Sequence, residues 1–182
     1  RLDEEGYLWL VGRAKDLIIR GGHNIDPLVT EDALAAHPSV EVAAAVGRPD
    51  THSGEVPVAF VQLVEGATVS ENELKTFARD HIGERAAAPV DVTICDVLPV
   101  TAVGKIYKPE LRKRAIKAAF QTALKAAFSE TEFMLHIADD KRLGIKVMLE
   151  AIDTDGQDDF RSQLPEVLKH FTQHWELIDT NG

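Results

Sequence analysis

The stretch LPVTAVGKIYK, residues 98–108, sets a threonine, a glycine and two lysines among apolar residues. A glycine followed by a lysine on a short loop suits chemistry at phosphate or carboxylate oxygens, because lysine brings a mobile point charge. A phosphate-cradling P-loop requires GxxxxGK followed by Ser or Thr. Here Pro99 stands in place of the first glycine and Ile106 in place of the hydroxyl residue, so that reading fails twice. What remains is a Thr-x-x-Gly-Lys loop. Gly104 opens backbone conformations closed to other residues, and Lys105 presents its ammonium. The plain alternative is a solvated loop lysine. A second segment, GRAKDLIIRGGHNIDP over residues 12–27, has glycines 12, 21 and 22 bracketing a charged hairpin.

The elements that must position these residues follow from periodicity and turn chemistry. Tyr7–Gly12 and Asp16–Arg20 read as the strands of an N-terminal hairpin, with GGHNIDP as a turn-rich loop after it. Pro27 suits the first turn of a helix running to about His37, with Leu28, Ala33 and Leu34 on its inner side. Residues 40–48 and 55–64 read as paired strands. Ser70 caps a helix reaching about Ile82, with Glu73 at the capping-box position. Residues 89–97 form a third strand, and a long helix runs from about Pro109 to Phe128. Beyond it, EFMLHIA and GIKVMLEAID make a hairpin, DDFRSQLPEVLKHFTQ a helix and WELID a final strand. The fold class is therefore α+β: a small sheet with an N-terminal β-hairpin and covering helices, followed by a second small α+β appendage.

Composition bounds the function. The chain has 182 residues, 45% hydrophobic and 27% charged, a soluble globular profile. Its net charge of −10 argues against a nucleic-acid binder, which needs a positive field. Residues 1–118 carry 14 basic and 18 acidic side chains, whereas 119–182 carry 6 and 12. The single cysteine, Cys95, excludes an intrachain disulfide and fits a reducing, cytoplasmic setting; it reads as core packing within a strand. No apolar run nears the roughly 20 residues of a membrane span. The chain opens mid-pattern at RLDEEGYLWLVGR without a methionine, as expected of a piece of something longer.

Other candidate clusters are weaker. KPELRKRAIK gathers Lys108, Arg112, Lys113, Arg114 and Lys117, and a solvated helix face explains most of them; Lys108, directly after the loop, is the best phosphate contact. His170 and His174 stand four apart, without an evident third metal ligand. DTDGQDD has its glycine too early for a calcium loop, and Leu164 stands where the bidentate glutamate belongs. No metal site is expected.

Taken together and in order, DEEGYLWLVGRAKDLIIRGGHNIDP, HPSVEVAAAVGRPDTHSGEVPVAFV and LPVTAVGKIYKPELR resemble the C-terminal domain of the adenylate-forming superfamily, and acid–CoA ligases most of all. The resemblance covers residues 3–117. It implies a lid domain over 1–117, followed by a helix plus β-β-α-β extension over 118–182. In that family a carboxylate attacks the α-phosphate of ATP to give an acyl-adenylate and pyrophosphate. The thiol of CoA then attacks the acyl carbonyl and releases AMP. ATP and CoA are thus implied as co-substrates, with Mg2+ and the nucleotide held mainly by an N-terminal adenylation domain of the same parent chain. The expected partners are that domain and a small carboxylic acid, with no nucleic acid and no transmembrane segment. A fragment of this kind is expected to be inactive alone.

The resemblance also implies residue roles. Lys105 matches the catalytic lysine of adenylation. Lys15 matches the hinge, where Asp or Lys is usual, and Arg13 the arginine that reaches the nucleotide. Gly22 and His23 match the loop facing the active site during thioester formation, where a glycine lets the CoA arm pass. The chain departs from the pattern at Val29, where a glutamate is frequent, while Glu31 fits the later acidic position. Two alternatives stay open: an adenylation module loading a carrier protein, although no GxxS-type phosphopantetheine site follows, and a non-catalytic α+β interaction domain.

Overall fold

A computed structural model describes Gly6 and residues 16–129, 131–142, 144–152 and 157–178. The elements run β1 (Ile18–Arg20), β2 (His23–Ile25), α1 (Pro27–Ala35), β3 (Val40–Asp50), β4 (Gly54–Leu63), α2 (Glu71–His81), β5 (Asp91–Ile94), α3 (Lys108–Ala127), β6 (Phe133–Asp140), β7 (Gly144–Ala151), α4 (Gln157–Leu168) and β8 (His174–Ile178). The expected α+β class holds. The chain divides into two compact units: Arg1–Gly47 with Pro57–Leu98, and Arg48–Val56 with Pro99–Gly182.

In the first unit the sheet order is β2-β1-β4-β3, and β5 also pairs with β4 in parallel, Val58 opposite Asp91 and Val61 opposite Ile94. Strand alternation decides what is buried. Ile18 is fully buried while its neighbour Ile19 is 54% exposed. The helices start where their sequences say. Asp26 accepts the Leu28 N–H at 3.0 Å ahead of Pro27, and Ser70 accepts the Glu73 N–H at 3.2 Å. In α2, Leu74 and Ala78 lie one turn apart on the buried face, packed into a core with Ile18, Ile25, Leu34 and Val61. The polar residue buried here, Thr30, donates its hydroxyl to the Ala87 carbonyl at 2.8 Å, which spares it the cost of an unpaired group.

Several expectations shift. GGHNIDP is more than a loop, because His23–Ile25 pairs antiparallel with Ile18–Arg20. The expected first strand, Tyr7–Gly12, lies outside the described residues. Leu34 and Ala33 face the core as expected, whereas Leu28 is 51% exposed and Pro27 and Thr30 are buried in its place. Cys95 falls just past β5 and is half-exposed rather than in the core.

The second unit is built on α3. Its buried residues Leu111, Ala115, Ile116, Ala119, Phe120 and Leu124 recur at helical spacing. The sheet β6-β7-β8 pairs β6 with β7 antiparallel and β7 with β8 in parallel. Rows such as Leu135–Leu149–Leu177 and Ile137–Val147–Trp175 pack with Phe120, Phe128, Phe160 and Leu164. The helix α4 ends at Leu168, so His170 and His174 do not share a helix face; His174 opens β8. The DTDG part of the rejected calcium loop lies outside the described residues. Residues 48–56 also belong to this unit. There Asp50 accepts N–H bonds from His52 and Ser53, at 3.0 and 2.8 Å. Burial pushes the Asp50 carboxyl up, yet those bonds outweigh it and hold the group below the usual carboxylate range. Among the described residues no helix is long and apolar enough to cross a membrane.

Candidate functional site

Lys105 sits on a loop closed by its own backbone. Val100 and Ile106 form an antiparallel bridge. The Thr101 N–H donates to the Lys105 carbonyl at 2.7 Å, the Gly104 N–H to the Thr101 carbonyl at 2.9 Å, and the Tyr107 N–H to the Pro99 carbonyl at 2.7 Å. Gly104 has φ +76°, and open space surrounds the position a Cβ would take, so glycine is needed there for its backbone and not for room. The Thr101 hydroxyl accepts the Lys105 N–H at 3.2 Å. The side chain of Lys105 is exposed, and no hydrogen bond or ion pair holds its ammonium among the described residues. The loop therefore fixes the lysine's backbone and leaves its charge available.

The hydroxyl of Thr101 is the contribution that sequence reading missed; the Thr-x-x-x-Lys spacing permits this bond without fixing it. Removing one such bond costs about 0.5–1.5 kcal/mol. Thr101→Val should therefore destabilise the fold by about 0.5–1.5 kcal/mol, and Thr101→Ser should restore it. Urea unfolding of the two variants checks this.

Lys108 opens α3 and is half-buried. Of the other cations on that helix, Lys113 pairs with Asp139 and Arg114 with Glu110. The Asp139 bond raises the Lys113 ammonium above its usual value. Arg114 fits the solvated-face reading, whereas Lys113 is largely covered and engaged within its own unit.

In the first unit, Gly21 and Gly22 make the two-residue turn between β1 and β2, with φ +56° and +84°. Positive φ at both central positions is what a tight hairpin of this twist demands. The flanking pair is Arg20 and His23, and the Arg20 guanidinium donates to the Ala86 carbonyl at 2.8 Å, anchoring the hairpin. Among the described residues, no non-neighbouring atom lies within 4 Å of where a Gly22 side chain would begin, and His23 is exposed. The turn thus offers bare backbone to its surroundings. Glu31 accepts the Ala45 N–H at 2.7 Å, a bond that ties α1 to β3, and Val29 is 40% exposed. Arg13 and Lys15 lie outside the described residues. Among the described residues no cluster of three or more His, Cys, Asp or Glu side chains is arranged to hold a metal.

The locked lysine loop belongs to the second unit, and the glycine turn to the small sheet of the first. Residues 30–105 match the AMP-binding enzyme C-terminal domain, and over this segment the chain is similar to that family. It is 44% identical over 99% of its length to the marinolic acid–CoA ligase of a Pseudoalteromonas strain, of which it spans 28%. It is 43% identical to the acyl-CoA ligase sidI of Aspergillus fumigatus, over 69% of this chain and 22% of that protein. Among solved structures, ATP-bound MatB from Rhodopseudomonas palustris matches with a TM-score of 0.59 and 33% identity, over 65% of this chain and 24% of that one. The chain thus spans about a quarter of the length of these relatives.

Proposed function

We propose that this chain acts as the C-terminal lid of an AMP-forming acid–CoA ligase, working with an N-terminal adenylation domain of the same polypeptide. The observation that carries the reading is Lys105: an ammonium without a partner among the described residues, on a loop whose backbone is already fixed. In the first half-reaction a carboxylate oxygen of the acid attacks the α-phosphorus of ATP, and the bond to the β-phosphate oxygen breaks, releasing pyrophosphate. Negative charge gathers on the phosphate oxygens, and Lys105 stabilises it as the lid closes and excludes water. Lys108 supplies a second, weaker phosphate contact. In the second half-reaction the lid rotates about Lys15, with Arg13 keeping hold of the nucleotide. The CoA sulfur attacks the acyl carbonyl and AMP leaves. The bare turn at Gly22 and His23 then lines the route of the thiol arm. Mg2+ accompanies ATP on the N-terminal domain, and the substrate is a small carboxylic acid. The use of a single cysteine, Cys95, is in keeping with a reducing, cytoplasmic setting.

Residues 1–117 are proposed as the lid and 118–182 as an extension to it. In support, relatives such as YngI of Bacillus subtilis match 64% of the chain, whereas the marinolic acid–CoA ligase matches 99%.

The test measures the two half-reactions separately in the full-length ligase: ATP–pyrophosphate exchange over a panel of carboxylic acids, and thioester formation from supplied acyl-adenylate and CoA. Gly22→Leu should lower thioester formation at least tenfold while exchange falls less. The φ of +84° adds a backbone cost of about 1–2 kcal/mol for any L side chain. A thermal melt of the variant separates that strain from obstruction of the route. Equal losses in both half-reactions would remove Gly22 from the thiol path.

A further inference from the structure

The glycine hairpin of the first unit is held at its base and again near its tip. At the base, Ile18 and Ile25 stand opposite each other and are buried in the core. Near the tip, the Arg20 guanidinium reaches the Ala86 carbonyl, 66 positions along the chain. Side chains alternate along a strand, so Arg20 shares the core-facing side with Ile18, and half-exposed Ile19 takes the other. The stem of Arg20 therefore runs toward the core while its polar head finds a carbonyl. The point it grips is itself fixed. Ala86 lies in the short 3-10 turn Arg85–Ala87, Ala87 has no exposed surface, and the Ala87 carbonyl accepts the Thr30 hydroxyl. The turn at the tip has no side chains of its own to hold it. Among the described residues, no non-neighbouring atom lies within 4 Å of where a side chain would begin at Gly21 or Gly22. Glycine has the most backbone freedom of any residue, so a tip of two glycines is loose unless a neighbour is tied down. Arg20 is that neighbour.

We propose that Arg20 is a positioning residue for thioester formation: its bond to the Ala86 carbonyl holds the Gly21–Gly22 turn where bare backbone lines the route of the thiol arm. The inference rests on the lid reading above and adds to it what keeps that route open. Arg20 acts through the turn and does not touch the reacting atoms. Without the bond the turn samples several positions, and only a fraction of them leave the route clear. CoA must then select that fraction, and its apparent affinity falls by the same factor. Once bound, CoA reacts as before. Adenylation depends on the Lys105 loop and is unaffected.

In the full-length ligase, thioester formation is measured from supplied acyl-adenylate with CoA varied. Arg20→Ala should raise the KM for CoA about tenfold, the lower end for losing a hydrogen bond from a charged donor, with kcat and ATP–pyrophosphate exchange each within about twofold of the wild type. Arg20→Lys keeps a charged donor on a slightly shorter stem and should recover most of the loss. Hydrogen exchange in Arg20→Ala should quicken at the Gly21 and Gly22 amides, while the buried positions Ile18 and Ile25 keep their protection. Dephospho-CoA separates positioning from direct contact with the ribose phosphate of CoA. The Arg20→Ala penalty should be the same with both thiols, and a penalty that vanishes with dephospho-CoA overturns the positioning role. Lys105→Ala is measured beside these variants. If Lys105→Ala abolishes exchange while Arg20→Ala keeps the wild-type KM, the anchor is overturned and the lid reading stands. If Lys105→Ala leaves exchange intact, the lid reading fails and the anchor falls with it. Equal losses in both half-reactions for Arg20→Ala, or a lysine variant as weak as the alanine one, also overturn the anchor.

Discussion

On the proposed lid function, Lys105→Ala in the full-length ligase should lower ATP–pyrophosphate exchange by about a hundred- to a thousandfold and leave thioester formation from supplied acyl-adenylate largely intact. The magnitude is that of removing one preorganised charge from a site where a transition state gathers negative charge. The selectivity follows from the proposed lid motion, in which the lysine is needed only while the phosphates react. Preorganisation is visible in the loop, where the Thr101 and Tyr107 N–H groups fix the backbone on either side. Folding has already ordered everything except the lysine side chain, so little remains to be ordered at the moment of reaction. Lys105→Arg should rescue poorly, because the planar guanidinium is a different shape from the compact ammonium. Pyrophosphate exchange on the panel of acids reads the effect, and unchanged exchange would reduce the loop to a surface turn.

Phe120→Ala destabilises the second unit by about 3–5 kcal/mol, the range for deleting a fully buried aromatic ring. Phe120 has no exposed surface and packs its ring against Phe171, with centroids 4.4 Å apart. Its neighbours Ile116, Leu135, Val147, Leu149 and Leu164 come from a sheet and helices that cannot all move inward to fill the void. A stability of about 5–15 kcal/mol is usual for a domain, so this is a large share of the total. Urea unfolding of the chain, followed by tryptophan emission from Trp175 in β8, measures it. A loss below about 1 kcal/mol would mean that the core collapses around the missing ring.

What was legible in the sequence is what local chemistry decides. The caps at Asp26 and Ser70, the long strands β3 and β4, the helix α3 and the Gly104–Lys105 loop all follow from residues within a few positions of each other. What was not legible depends on distant partners. The strand β2 has only His23–Ile25, and nothing marks it as a strand until Arg20 and Ile18 lie opposite. Leu28 has the right character for a core position, but the stripe that faces inward is set by Thr30 and the Ala87 carbonyl it meets, far along the chain. The histidines at 170 and 174 match a helical spacing, yet α4 has ended and Phe171 is drawn to Phe120. For the site, glycine and lysine announced themselves, whereas the Thr101 hydroxyl acts through a bond that spacing alone does not fix.

The two parallel strand pairs have a kinetic consequence. In the first unit β5 reaches β4 only after α2 has crossed between them, and in the second β8 reaches β7 only after α4. Val58 meets Asp91, and Lys146 meets His174. Each pairing closes a loop of roughly 30 residues, whose length-dependent entropy cost is about 3 kcal/mol before any contact compensates it. The hairpin of β6 and β7, joined where Asp140 meets Gly144, costs only about 1 kcal/mol by the same measure. The order of assembly is therefore written into the topology: local hairpins and helices first, and in each unit the last strand of its sheet to be synthesised is also the last to dock.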